Sequence, residues 1–222
     1  MRPYLKARSC QGGGGITSPE IERYIQHLYP IEDPILEEME QLGKKINFPL
    51  IGPLVGRILY QLATMISAKS VFEMGSGFGY SAFWFALALP EDGVVHLTDQ
   101  SKKNLDLAQQ FFTQANLIKK ARFHAGDALK TLSETSETFD IILIDLDKEK
   151  YPKALELAKQ KLNAGGLLIA DNLLWFGQVL EHHGDKATEA VKEFNQALFN
   201  DCNFISTLLP IRDGVGVAYK IK

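Results

Sequence analysis

Val71-Phe72-Glu73-Met74-Gly75-Ser76-Gly77-Phe78-Gly79-Tyr80-Ser81 reads as a buried strand that carries an acidic residue near its end and runs into a glycine-rich turn. Glycines at alternate positions let the backbone bend sharply and approach a ligand with no Cβ in the way. The next predicted strand ends in Asp99, placed to take a pair of ribose hydroxyls. A strand, a glycine turn and a following acidic strand end are the layout of a nucleoside-cofactor site in an open α/β sheet.

The turn is not the dinucleotide fingerprint G-x-G-x-x-G, because Tyr80 stands where the third glycine belongs. This weighs against a nicotinamide dehydrogenase. Glu-x-Gly-x-Gly-x-Gly instead resembles motif I of the class I S-adenosylmethionine-dependent methyltransferases, with Gly75, Ser76 and Gly77 against the cofactor. Taken alone, the turn is equally a tight strand-to-helix connection with no ligand.

Around this segment strands and helices alternate. The pattern predicts strands at 70–74, 94–98, 121–124, 139–144 and 166–170, and helices at 79–89, 101–115, 148–162 and 186–200. Short strands separated by helices imply parallel pairing through right-handed crossovers. Phe204–Leu209 and Val215–Ile221 are joined by only Pro210-Ile211-Arg212-Asp213-Gly214, which permits an antiparallel hairpin and no crossover helix. The expected fold is α/β, a single-domain Rossmann-like sheet of seven strands, mostly parallel, with an antiparallel strand near the C-terminus. Ser18-Pro19 starts a helix to about His27; further helices over Pro34–Leu42 and Pro53–Ile66 complete an N-terminal helical cover spanning 16–68 of the domain 16–222. Residues 1–15, with Gly12 to Gly15, read as a flexible arm or an expression remnant.

The 222 residues carry 24 Lys and Arg against 27 Asp and Glu, a net charge of -3 that argues against a broad nucleic-acid surface. Two distant cysteines, Cys10 and Cys202, make neither a thiolate metal cluster nor a disulfide framework, and a reducing cytoplasm is the simplest setting. No apolar run is long enough to span a membrane, and the N-terminus lacks a signal peptide's apolar segment.

A second constellation lies at other strand ends. Phe139-Asp140-Ile141-Ile142-Leu143-Ile144-Asp145 and, after a turn read at Asn163-Ala164-Gly165-Gly166, Leu167-Leu168-Ile169-Ala170-Asp171-Asn172 both run from apolar strand into oxygen donors. Ligands of open α/β sheets bind beyond the carboxyl ends of strands. Asp145, Asp171 and Asn172 therefore emerge on the side of the glycine turn, a hard oxygen set suited to magnesium, manganese or calcium. A lone aspartate after a strand is as readily a helix cap or turn residue; three donors on two neighbouring strands beside a cofactor turn point to a site.

Five segments in this order and spacing resemble the cation-dependent O-methyltransferases of the caffeoyl-CoA and catechol type: Glu73 to Ser81, Thr98-Asp99, Gly126-Asp127-Ala128, Ile144 to Tyr151, and Asp171 to Val179. The resemblance covers about residues 30–222. It implies Asp145, Asp171 and Asn172 as cation ligands and Lys148 as general base. It places Glu73, Gly75, Ser81 and Asp99 in the cofactor pocket, Asp127 and Ala128 beside the adenine, Asp147 near the methionine end, and Trp175 against the site. It also implies a small phenolic acceptor and a homodimer. Phe48-Pro49-Leu50-Ile51-Gly52-Pro53 departs from the acidic residues many plant members carry there. The loop 173–185 is expected to select the acceptor; its His182-His183 pair could ligate zinc but reads as solvated. His27, His96 and His124 are expected to pack in helix and strand settings. Two rival readings keep the cofactor: methylation of a modified uridine in transfer RNA, and a non-catalytic S-adenosylmethionine-binding module, which would not need the full set of Asp145, Lys148, Asp171 and Asn172.

Overall fold

A computed structural model describes residues 18–30 and 32–221; the arm expected at 1–15 lies outside the described residues. Helices Pro19–Leu28 (α1), Pro34–Ile46 (α2) and Gly52–Met65 (α3) precede the first strand. Ser18 Oγ accepts from Glu20 N at 3.3 Å, and Asp33 Oδ1 from Ile35 N at 2.9 Å and Leu36 N at 3.1 Å. Each cap is followed by a proline in the first turn, where a missing N–H costs nothing. Asn47 ends α2 in the left-handed region at φ 52° and turns the chain into the segment 48–51.

Ser70–Met74 (β1), Val94–Asp99 (β2), Ala121–Ala125 (β3), Phe139–Ile144 (β4), Leu162–Ala170 (β5), Phe204–Leu209 (β6) and Val215–Lys220 (β7) form one sheet in the order β3-β2-β1-β4-β5-β7-β6. β1 to β5 pair in parallel, and β7 runs antiparallel between β5 and β6. This is the Rossmann-like arrangement expected from the sequence.

Successive strand residues face opposite sides. Val71, Leu97, Ile141 and Ile169 pack under α2, α3, Tyr80–Ala88 (α4) and Lys102–Gln114 (α5). Phe72, Met74, Ile142 and Leu168 pack under Ala128–Glu134 (α6), Tyr151–Lys161 (α7) and Lys186–Phe199 (α8). Every residue of α4 from Tyr80 to Ala86 is buried, as suits a helix that is apolar on all sides. α3 reaches it through Gly56, where a Cβ would stand 2.1 Å from Trp84 Nε1.

Three details differ from the sequence pattern. α6 was not expected. The predicted helix over 148–162 is a 3-10 turn at Lys148–Lys150 followed by α7 from Tyr151, because Pro152 belongs in a first helical turn. Asn163-Ala164-Gly165-Gly166, read as a turn, is strand backbone in β5 with a register shift opposite Phe139 and Ile141. His96 is buried and lies 3.1 Å from His124, Nδ1 to Nε2, whereas His27 is exposed on α1.

Candidate active site

Because β2, β1, β4 and β5 are consecutive in the sheet, their ends are sewn together. Gly75 N and Ser76 N donate to Thr98 O at 3.1 and 2.8 Å, Asp145 N to Met74 O at 3.0 Å, and Asp171 N to Ile144 O at 3.2 Å. Gly75 sits at φ 89°, and a Cβ there would stand 2.0 Å from Asp145 O. Only glycine lets the turn after β1 close against the end of β4.

Above these ends lies a cleft of about 390 Å³. Gly75, Ser76, Gly77 and Ser81 form its floor, Asp99, Asp127 and Ala128 one wall, and Asp145 and Asp147 the other. All the sequence-predicted cofactor residues lie on its surface except Glu73. Glu73 is fully buried behind the wall, where it accepts from Ser81 Oγ. Burial pushes its carboxyl up to about 8, against the opposing hydrogen bonds of Ser81 and Ser76, and its Oε2 has no partner. Asp99 Oδ2 accepts from Gly77 N at 3.0 Å, while Oδ1 accepts from Ser101 N at 2.8 Å. A carboxylate has lone pairs beyond these, so Asp99 fixes the turn and still faces the cleft. Asp127 caps α6 through Leu129 N and Lys130 N at 2.9 and 3.1 Å, and the Lys130 amide holds its carboxyl below the usual range. Phe48, Pro49, Leu50 and Ile51 form the cover; the Phe48 ring lies where a Cβ on Gly77 would be, 2.7 Å away.

Lys148, Asp171 and Asn172 stand off this wall, and Asp145 joins the two centres. Lys148 is only 8% exposed. Its Nζ donates to Asp145 Oδ1 at 3.3 Å and to Tyr151 Oη at 2.5 Å, and Tyr151 Oη donates to Asp171 O at 2.9 Å. The Trp175 ring lies 5.8 Å from Nζ, as the resemblance implied. Burial and the nearby Asp145 charge push Asp171 up to about 7, and its Oδ1 is buried without a partner. Among the described residues no three His, Cys, Asp or Glu side chains form a metal cage. The set here is smaller, two carboxylates and one amide, and it fits a hard cation: a buried, unpartnered carboxylate oxygen is costly until a positive charge reaches it. His182 and His183 are exposed in the loop, as expected of solvated residues.

Two residues of this centre escaped sequence reading. Tyr151, fully buried, orients Lys148. Asp213 lies close enough to the Asn172 side chain for that amide to oppose the rise that burial gives its pKa, and it accepts from Phe176 N at 2.5 Å, pinning a loop in which Trp175, Phe176 and Gly177 all have positive φ. Asp213-Gly214 looks like any turn pair; only the fold brings it to Asn172.

A family model for O-methyltransferases matches residues 28–221. The chain belongs to the O-methyltransferase family. Its relatives place it with the caffeoyl-CoA and catechol type of these S-adenosylmethionine-dependent enzymes. It is 30% identical to caffeoyl-CoA O-methyltransferase 2 of Populus trichocarpa, over 93% of this chain and 91% of that one. It is 35% identical to mouse catechol O-methyltransferase domain-containing protein 1 over 74% of this chain, and spans 65% of that protein's length. The solved O-methyltransferase of Bacillus cereus in complex with SAH superposes with a TM-score of 0.83 at 28% identity, covering 90% of this chain and 97% of that one. Among the described residues of this O-methyltransferase, no helix is long and apolar enough to cross a membrane.

Proposed function

We propose that this enzyme methylates one hydroxyl of a vicinal diol, a catechol, in a reaction that requires a divalent cation. The observation that carries this reading is the buried, unpartnered Asp171 Oδ1 beside Asp145 and Asn172, with the Lys148 amine 3.3 Å from Asp145. Asp145, Asp171 and Asn172 would hold the cation, magnesium first and manganese or calcium as alternatives. A cation bound there supplies Lewis acidity that favours ionisation of a chelated hydroxyl.

The remaining work belongs to side chains. Lys148 accepts the acceptor's proton at Nζ from its neutral amine form, held in place by Asp145 and Tyr151. Gly75, Ser76, Gly77, Ser81 and Asp99 seat the cofactor beside Asp145, which lines the cofactor cleft and also touches the lysine. Two reactants held on adjacent strand ends gain by orientation, which in well-placed systems supplies roughly 7–11 kcal/mol. The apolar Phe48 to Ile51 cover keeps water from the transfer path.

The test is transfer of labelled methyl to a panel of small catechols, caffeoyl esters, a 1,3-diol control such as resorcinol, and bulk transfer RNA. Turnover of the vicinal diols and not of resorcinol is expected. Turnover confined to RNA would replace the acceptor assigned here.

A further inference from the structure

Arg212 occupies the short turn between β6 and β7 at φ 51°, a backbone region that favours glycine. Such a conformation is uncommon for a residue that carries a side chain. The turn is fixed on both sides. Ile211 N donates to Leu209 O at 2.8 Å and Gly214 N to Ile211 O at 2.9 Å, while Leu173 N and Leu174 N donate to Gly214 O and Asp213 O, both at 2.9 Å. The turn therefore backs the loop that carries Asp171 and Asn172.

From it the guanidinium reaches towards the cofactor cover. Nη1 donates to Leu50 O at 2.8 Å and passes so close to Gly52 that a Cβ there would lie 2.3 Å away. Its charge acts on Tyr80, Asp171 and Asp213. Among the described residues, the bond to Leu50 is the side chain's one hydrogen bond, and it forms no ion pair. The lysines of the two centres are committed: Lys148 to Asp145 and Tyr151, Lys150 to Asp127 and Asp147. A guanidinium carries five donors in a planar fork that matches a carboxylate. Here it is a half-buried cation, tethered at one corner, between the cofactor cover and the proposed cation loop.

We propose that Arg212 selects the acceptor and that the acceptor is a catechol bearing a carboxylate, which the free edge of the guanidinium receives while the diol faces Asp145, Asp171 and Asn172. The inference rests on the acceptor reading of the preceding section. Arg is required for this geometry more than charge alone, since Lys offers a point charge and no fork.

The experiment compares 3,4-dihydroxyphenylpropionate with its methyl ester, whose saturated linker isolates the carboxylate from phenol acidity. The two are assayed with magnesium on the wild type, Arg212→Gly and Arg212→Lys. Glycine suits φ 51° and keeps the turn, and a thermal melt confirms folding. The wild type should favour the acid over the ester in kcat/KM by about tenfold or more, the scale of one charged hydrogen-bond pair. That ratio should collapse towards one in Arg212→Gly and recover in part in Arg212→Lys. A wild-type ratio near one, or a ratio unmoved by either variant, would overturn the role of Arg212 and leave the catechol reading standing. Methylation of neither compound would remove the catechol reading and this inference with it.

Discussion

Lys148 is a nearly water-free amine whose neighbours hold it towards Asp145, and its role is separable from cation binding. Lys148→Met should lower kcat by roughly 10²–10⁴, the usual worth of a positioned acid or base, with magnesium affinity retained by calorimetry. Full turnover would take the lysine out of the chemistry. Glu73 makes a prediction about stability. Burial raises its pKa in the folded protein to about 8, above the ordinary 4.5 of a solvated glutamate. The folded state therefore holds the proton more tightly than the unfolded chain. Its contribution is full below about 4.5 and is lost as pH rises through about 8. Glu73→Gln should flatten the fall in Tm of the cofactor-free protein across that window; a curve as steep as the wild type's would mean Glu73 is solvated or paired. Asp145, Asp171 and Asn172 stand out in the sequence because each follows an apolar strand, whereas Lys148 was reached only through the resemblance. Asp213 and Arg212 do not stand out, since a five-residue turn carries no periodic pattern and its partners lie 162 positions away at Leu50 and 37 away at Phe176.

α6 shows what pattern reading loses and what the fold gains. Its seven residues are too few for a helical period to emerge, and most of its stability comes from Leu129 and Leu132, buried where α6 packs on β1 and α7. The local signal was Asp127, which caps it and also lines the cofactor cleft. Asp127→Ala should cost about 1 kcal/mol in urea unfolding and raise the KM for S-adenosylmethionine more than it lowers kcat. An unchanged KM would detach the cap from the cofactor. The glycines before β5's apolar run misled for the opposite reason. They signalled a turn, yet Gly166 serves a close approach to Asp140 O, where a Cβ would be 2.6 Å away. Long, strongly apolar strands and capped helices were read correctly because their signals are redundant.

Taken whole, the order β3-β2-β1-β4-β5-β7-β6 reverses direction beside β1, and the cofactor cleft opens at that reversal. The same adjacency brings Asp99, Asp145 and Asp171 onto neighbouring strand ends around the glycine turn, so one topological feature places both the cofactor cleft and the proposed cation ligands. The antiparallel β7 returns the chain so that Asp213 and Gly214 bond the loop after β5 while Arg212 reaches Leu50. Sequence alone reached the strands and their direction, while the joining of two centres through Asp145 required the sheet order. The proposed chemistry depends on the cation, and removing it is the direct test. Methyl transfer from labelled S-adenosylmethionine to a catechol should stop in excess chelator, return on adding magnesium, and fail to return in Asp171→Ala. Undiminished transfer in chelator would contradict the account.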